Sequence, residues 1–289
     1  MIVKTTHSSV HDWLVLCKLN ITLPVTLTAF TGFVLFKEEL SAVAFFVCAG
    51  VLLLASAASI INHILELKTD ALMPRTSSRP LAAGRIGVFS ASLVSLILGC
   101  LGLLLLIRTG IIPLALGLFN IFWYTIVYTQ LKKITAFAVV PGSLVGAIPP
   151  IIGWTAAGGA VFDKQIILVA FFFFIGQIPH FWLLVMRYGK DYETAGLPSL
   201  SALLTDAQLK NLTLIWVAAT AMAAVLLIVF GIFQTLPATI AVFLMALLLL
   251  FAFRKWVGVS KLPDPKPAFI VINLFFLGMM LALIAEALL

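Results

Sequence analysis

The chain has 289 residues, of which 63% are hydrophobic and 10% charged, with a mean hydropathy of +1.19. Soluble domains carry about 25% charged residues, so this composition excludes a water-soluble globular protein and points to an integral membrane protein. The net charge of +7 implies no nucleic-acid partner, because Lys and Arg sit in short segments between apolar runs rather than in one basic patch.

The opening stretch, MIVKTTHSSVHDW, lacks the basic, apolar, small-residue order of a cleaved signal and the Arg-rich character of a transit peptide. The first apolar run therefore reads as an uncleaved insertion signal, which fits a bacterial or archaeal plasma membrane better than an organelle. His7 and His11 in this tail read as solvent residues. A spanning helix needs about 20 mostly apolar residues. Nine runs qualify: Leu14–Phe36, Ala42–Leu65, Val88–Ile107, Gly110–Leu131, Phe137–Ala157, Gln165–Met186, Leu212–Phe233, Leu236–Phe253 and Ala268–Leu288. They are too long for strands and lack the dyad alternation of a barrel. The expected fold is all-α, a polytopic bundle of nine transmembrane helices. With the N-terminus cytoplasmic, fifteen Lys and Arg, Lys4 and Lys261 among them, lie on the inner side and three on the outer. That bias sets the orientation and places the C-terminus outside.

The first run carries Lys18, Asn20 and Pro24. Lys18 and Asn20 read equally as residues snorkelling at the cytoplasmic end or as polar groups lining a cavity. The second run ends abruptly in NHILELKTDALMPRTSSRPLAAGR, residues 62–85. Asn62, Glu66 and Asp70 are spaced i, i+4, i+8, which puts them on one stripe over two helical turns. Polar groups at a membrane helix end are costly and mark a functional site by default. Two carboxylates and an amide oxygen suit a hard cation such as Mg2+, which often binds with substrate phosphates, and Arg75, Arg79 and Arg85 just beyond suit phosphate oxygens. A solvated helix end at Glu66 and Lys68 is the bland alternative. His63 projects about 100° from Asn62.

The pattern N-x3-E-x3-D-x2-M-x-R-T-x2-R-P-L-x2-G over Asn62–Gly84 resembles the first acidic motif of the heme O synthases, the protoheme IX farnesyltransferases within the UbiA-type intramembrane prenyltransferases. Three later features extend the resemblance. In the fourth run, Asn120, Tyr124, Tyr128 and Lys132 form a second four-residue stripe, and Tyr128 and Lys132 resemble the family's Tyr-x3-Lys, which makes Lys132 a phosphate contact. Ala136 departs from the family's proline after Lys133 and Thr135. In the fifth run, Gly142 and Gly146 permit close helix packing, and Pro149–Pro150 are expected to kink or break the helix. In the sixth, Gln177-Ile-Pro179-His180-Phe-Trp and then Asp191-Tyr-x2-Ala-Gly-Leu-Pro take the place of the second DxxxD of other UbiA-type enzymes. Asp191 is thereby the second-motif carboxylate, ahead of Glu193. Pro179 is expected to kink the helix. His180 reads either as a hydrogen-bonded structural residue or as a group meeting heme, at the iron or near a propionate.

Cys17, Cys48 and Cys100 read as small buried hydrophobes, with no disulfide framework. The last three runs read as packing helices, with Glu286 interfacial. The two acidic clusters stand four helices apart, a weak sign of two four-helix halves with a ninth helix added. The resemblance covers about Lys18–Ser201 and implies one UbiA-like domain over residues 1–289. It implies transfer of farnesyl from farnesyl diphosphate to heme b, heme b being substrate and Mg2+ the cofactor. Asn62, Glu66, Asp70 and Asp191 hold the metal; Arg75, Arg79, Lys132 and Lys190 take the diphosphate; Tyr128, Gln177 and His180 line the substrates. The partners implied are the lipid bilayer and a heme A synthase or terminal oxidase assembly. Two alternatives stand beside this: prenylation of another aromatic acceptor such as a quinone precursor, and a cation-coupled transporter.

Overall fold

Inside a bilayer the backbone has no polar partner but itself, so each long apolar run closes as a helix. The computed structural model describes residues 9–259 and 263–289; Lys4, His7 and Lys261 lie outside them. The helices in chain order are α1 (Val10–Cys17), α2 (Leu19–Lys37), α3 (Ala42–Leu65), α4 (Leu67–Leu72), α5 (Val88–Ile107), α6 (Ile111–Phe122), α7 (Thr129–Leu131), α8 (Val139–Gly142), α9 (Leu144–Ala156), α10 (Lys164–Thr194), α11 (Leu200–Leu203), α12 (Asp206–Val229), α13 (Leu236–Ala252) and α14 (Pro265–Leu288). A π-helical stretch, Trp123–Tyr128, joins α6 to α7. Among the described residues, nine helical stretches are long and apolar enough to cross a membrane, so the all-α, nine-span expectation holds.

The ends of the runs differ from expectation for local reasons. The first run is two helices, because Lys18 between them takes a left-handed φ of 49°. The sixth extends past Met186 to Thr194. The seventh starts at Asp206, where Thr205 and Gln208 form a reciprocal capping box that satisfies two orphan donors. Pro149 and Pro150 do not break α9. Pro149 has no N–H for the Val145 carbonyl, and the Asn120 Nδ2 of α6 donates to that carbonyl instead, at 3.3 Å, which makes Asn120 a strap between helices. The backbone also stays helical through Pro179; the one non-helical residue within α10 is Tyr188.

Packing repeats itself. In the first half α2 meets α3, α3 meets α5 and α5 meets α6; in the second, α9 meets α10, α10 meets α12 and α12 meets α13, and α14 packs on α2, α10 and α13. This is the arrangement of two four-helix halves and an added ninth. The halves are joined where α2 crosses α9, at Gly32 and Gly153. A Cβ on Gly153 would run into the Ala29 carbonyl, and one on Gly32 into the Pro150 carbonyl. Small residues let helix backbones approach this closely, which in lipid is the main source of helix association.

Three polar ties fasten helix ends to their neighbours. Arg85 pairs with Asp12 at 3.0 Å and also donates to the Ser78 carbonyl, so it anchors α1 to the loop rather than waiting for phosphate. Ser59 adds a bond to the Leu16 carbonyl at 2.7 Å. Glu286 is not simply interfacial: it accepts from the backbone N–H groups of Gln234 and Thr235, at 2.7 and 3.0 Å. It thereby caps the start of α13 from the end of α14. Asn20 is exposed.

Gly153→Ala is expected to force α2 and α9 apart, since the obstacle is backbone and cannot rotate away. Overpacking of this kind costs about 1–3 kcal/mol. A thermal melt in detergent should show a midpoint several degrees lower than wild type, while Gly87→Ala, where an added Cβ meets nothing within 4 Å, should leave it unchanged. Equal midpoints for the two variants would contradict the close crossing.

Candidate active site

The α3 helix ends at Leu65, and Glu66 sits at the break before α4 with φ −101° and ψ 4°. The expected single stripe is therefore bent. Asn62 and Glu66 still face one another, with Asn62 Nδ2 donating to Glu66 Oε1 at 2.6 Å. Asp70 is turned back toward α3, where His63 Nδ1 stands 3.7 Å from its Oδ2. Asn62, His63, Glu66 and Asp70 are 2%, 1%, 7% and 1% exposed, so the solvated-end alternative for Glu66 fails.

Buried acceptors and carboxylates need partners, and each of the three has a cation from a different element. Lys18, at the α1–α2 turn, donates to Asn62 Oδ1 at 3.1 Å. Lys132, just after α7, forms an ion pair with Glu66. Arg79, in the loop after α4, holds both oxygens of Asp70, at 2.9 and 2.7 Å. Thr129 lies 3.4 Å from Asn62 Nδ2, and Thr76 Oγ1 donates to the Asp70 carbonyl at 2.8 Å.

The π turn makes the Lys132 contact possible. The Thr129 backbone N–H reaches back five residues to the Tyr124 carbonyl, the offset of a π-helix, and the Thr129 hydroxyl donates to the same carbonyl at 2.8 Å. Trp123 Nε1 fastens the same stretch to the Pro141 carbonyl at 2.8 Å. Tyr124 and Tyr128 stack with centroids 5.9 Å apart. Tyr128 lies against Gly142 so closely that any side chain there would displace it. The Tyr128 ring is 5.8 Å from Lys132 Nζ and 6.3 Å from the Phe181 ring.

Arg75 ties the first acidic cluster to the second. Its guanidinium lies 4.4 Å over the ring of Tyr188, three residues before Asp191, and its buried Nε has no hydrogen-bond partner among the described residues. Asp191 is half-buried and has no ion pair or hydrogen bond to its side chain among the described residues. Lys190 is exposed, and Glu193 turns to Ser201, accepting at 2.9 Å. Gln177 packs against Gly146. His180 is set among Phe181, Phe269 and Phe276, with ring centroids 4.8 Å from Phe269, and its Nδ1 has no hydrogen-bond partner among the described residues. His180 and Asp191 are eleven residues apart on α10, about 16 Å along a helix. The site thus has a charged rim and a deeper aromatic wall.

Charge in the rim is unbalanced. Lys18, Arg75, Arg79 and Lys132 face Glu66 and Asp70. Burial, then Arg79, lower the Lys18 pKa to about 7, with Asp70 partly opposing, so an incoming anion is what fully charges it. Burial pushes Asp70 up, but His63 alongside and the Arg79 fork outweigh it and hold the carboxyl below 3.8. No three His, Cys, Asp or Glu side chains among the described residues form a ready metal cage. A separate apolar cleft of about 430 Å3, lined by Ala57, Ile61, Ser95, Gly99, Leu103 and Ile121, holds none of these residues.

Sequence reading left three participants open or unseen. Lys18 was legible as a charge inside an apolar run, but only its left-handed backbone aims it inward. His63 reaches Asp70 because the helix bends at Glu66. Thr129 meets Asn62 because of the π turn.

A family model described as the UbiA prenyltransferase family matches residues 23–283. A protoheme IX farnesyltransferase of Geobacter sulfurreducens is 42% identical over 189 residues, 64% of this chain and 68% of that one. Another, from Nitratidesulfovibrio vulgaris, is 33% identical over 245 residues, 84% of this chain and 85% of that one. A solved structure of a UbiA homolog from Archaeoglobus fulgidus bound to GPP and Mg2+ superposes with a TM-score of 0.72 at 16% identity, covering 95% of this chain and 99% of that one.

Because its folded-state pKa is depressed, Asp70 stabilises the fold above its unfolded pKa, and that contribution is lost as pH falls through the folded value. Asp70→Asn should melt earlier than wild type at pH 7, by on the order of 1–3 kcal/mol of stability for the lost charged hydrogen bonds. The gap should close as pH drops below about 4. Detergent melts at pH 7, 5 and 3.5 check this; a gap unchanged at pH 3.5 counts against the Asp70–Arg79 pair.

Proposed function

The chain belongs to the UbiA prenyltransferase family, and from that premise we propose that it transfers the farnesyl group of farnesyl diphosphate to a vinyl group of heme b, giving heme O. One observation carries the assignment of residues: three buried acceptors, Asn62, Glu66 and Asp70, each matched to a cation, beside an Arg75 Nε that has no partner. An oxygen-only donor set with spare basic groups is what a diphosphate with a hard cation requires. Asn62, Glu66, Asp70 and Asp191 would hold Mg2+, which when bound neutralises diphosphate charge and favours its departure.

The chain's own residues account for the remaining chemistry. Arg75, Arg79, Lys132 and, from the second motif, Lys190 present N–H donors to the diphosphate. Their charge counts most where negative charge grows, as the farnesyl C–O bond breaks and its electron pair leaves with the diphosphate. The allylic cation left behind needs a dry wall without nucleophiles. Tyr124, Tyr128 and Phe181 offer ring faces that stabilise a cation, and Gly142 and Gly146 leave room for Tyr128 and Gln177. The π electrons of the heme vinyl group form the new C–C bond. Water then adds to the resulting carbocation and gives up a proton, so atoms and charge balance. His180, set among Phe181, Phe269 and Phe276 with an unpartnered Nδ1, is the nearest candidate for a heme contact, at the iron or near a propionate.

The excess of Lys and Arg on the Asn62–Arg85 side supports a cytoplasmic N-terminus and a rim facing the cytoplasm. The setting is the inner membrane of a prokaryote, with product passed to a heme A synthase or terminal oxidase assembly. The chain reads as one catalytic domain over residues 1–289.

Incubating the purified protein with heme b, farnesyl diphosphate and Mg2+ should yield heme whose mass has risen by a farnesyl group and a hydroxyl group. Glu66→Gln, Asp70→Asn and Asp191→Asn should each lower that rate by about a hundredfold or more, and chelation of divalent metal should abolish it. Unmodified heme in the wild-type reaction, or full activity in all three variants, would refute the proposal.

A further inference from the structure

We propose that Lys18 is a substrate-binding residue that exchanges between two partners: Asn62 when the site is empty of diphosphate, and the diphosphate when it is filled. The inference rests on the reading of the rim as a diphosphate site and extends it to a residue outside both acidic motifs.

Three observations converge on it. Lys18 is the one residue between α1 and α2, and its φ of 49° is a conformation that non-glycine residues rarely adopt. That backbone is locked from both sides: Asp12–Arg85 and Ser59–Leu16 tie α1 down, and α2 is fixed on α9 by the glycine crossing. A rare backbone state held by its surroundings is where function is to be sought. Second, the side chain so placed ends on Asn62 Oδ1, at 3.1 Å. That oxygen is the only one of the two amide groups on Asn62 able to accept or to ligate, and Lys18 occupies it. Third, an amide oxygen is a weak partner for an ammonium beside Arg75 and Arg79. A diphosphate oxygen offers full charge and a stronger, charge-assisted bond.

The consequence is a pair of opposite effects. Lys18 competes with a metal for Asn62 when diphosphate is absent and helps retain the diphosphate when it is present. Removing the ammonium should therefore improve one affinity and harm the other, a pattern that loss of packing alone does not produce.

The test uses the full chain in detergent, with binding measured calorimetrically for Mg2+ alone and for inorganic pyrophosphate with Mg2+. Lys18→Asn removes the charge while keeping a residue type that tolerates positive φ; Lys18→Gly does the same without a side chain; Lys18→Arg keeps the charge. In the Asn and Gly variants pyrophosphate should bind roughly tenfold or more weakly, and Mg2+ alone should bind more tightly. Lys18→Arg should keep pyrophosphate affinity within about threefold of wild type. If wild type binds pyrophosphate and both neutral variants bind it equally well, the Lys18 proposal falls and the diphosphate site stands. If the neutral variants lose both affinities together, Lys18 is structural and the proposal also falls. If wild type binds no pyrophosphate with Mg2+, the reading of the rim fails with it.

Discussion

Charge cannot be left alone at the edge of a bilayer, and the rest of this structure follows from how that constraint is met. Glu66 and Asp70 are buried, and a buried carboxylate without a partner would be strongly destabilising. Each has its own cation, and no two cations come from the same segment. Lys132 arrives from the end of the fourth span, Arg79 from the loop after the second, and Lys18 reaches Asn62 from the turn before the first. The rim is therefore assembled from three directions, and the bundle must position all three for any of them to be satisfied.

The helical frame supplies that precision by close approach rather than by polar glue. Lipid tails are as apolar as leucine, so burial alone does little to hold helices together. Gly32 and Gly153 instead bring two backbones into contact, and the side chains of Asn120 and Trp123 reach carbonyls of the neighbouring helix and the stretch before it. These contacts link the half carrying the first acidic motif to the half carrying the second. Arg75 over Tyr188 completes the link at the rim. In the proposed reaction the charged rim and the aromatic wall below it would divide the labour, one taking the departing anion and the other the cation it leaves.

Much of this was legible in the residues alone. Run length and hydropathy report on how a chain partitions into lipid, so the nine spans could be read directly. The four-residue spacing of Asn62, Glu66 and Asp70 could be read because helix geometry is regular. What could not be read were departures from regularity. The bend at Glu66, the left-handed Lys18, the π turn before Thr129 and the unbroken path of α9 through two prolines all depend on contacts distant in sequence. Pro149 shows why: its effect was set by Asn120, 29 residues earlier, which accepted the role of the missing donor's substitute. Arg85 reads alongside Arg75 and Arg79 as suited to phosphate oxygens, because nothing local announces that its partner is Asp12.

The π stretch over Trp123–Tyr128 carries a further implication for how the chain can change. A π turn is one residue more than the α-helix it interrupts, so everything after it is rotated by about 100° relative to an uninterrupted helix. Thr129 and Lys132 face the rim only because of that surplus residue. Shortening this stretch by one would straighten the helix and leave its apolar length adequate for the bilayer, yet swing both side chains toward lipid. The part of the fourth span that carries the π stretch is thus under a counting constraint that hydropathy does not reveal.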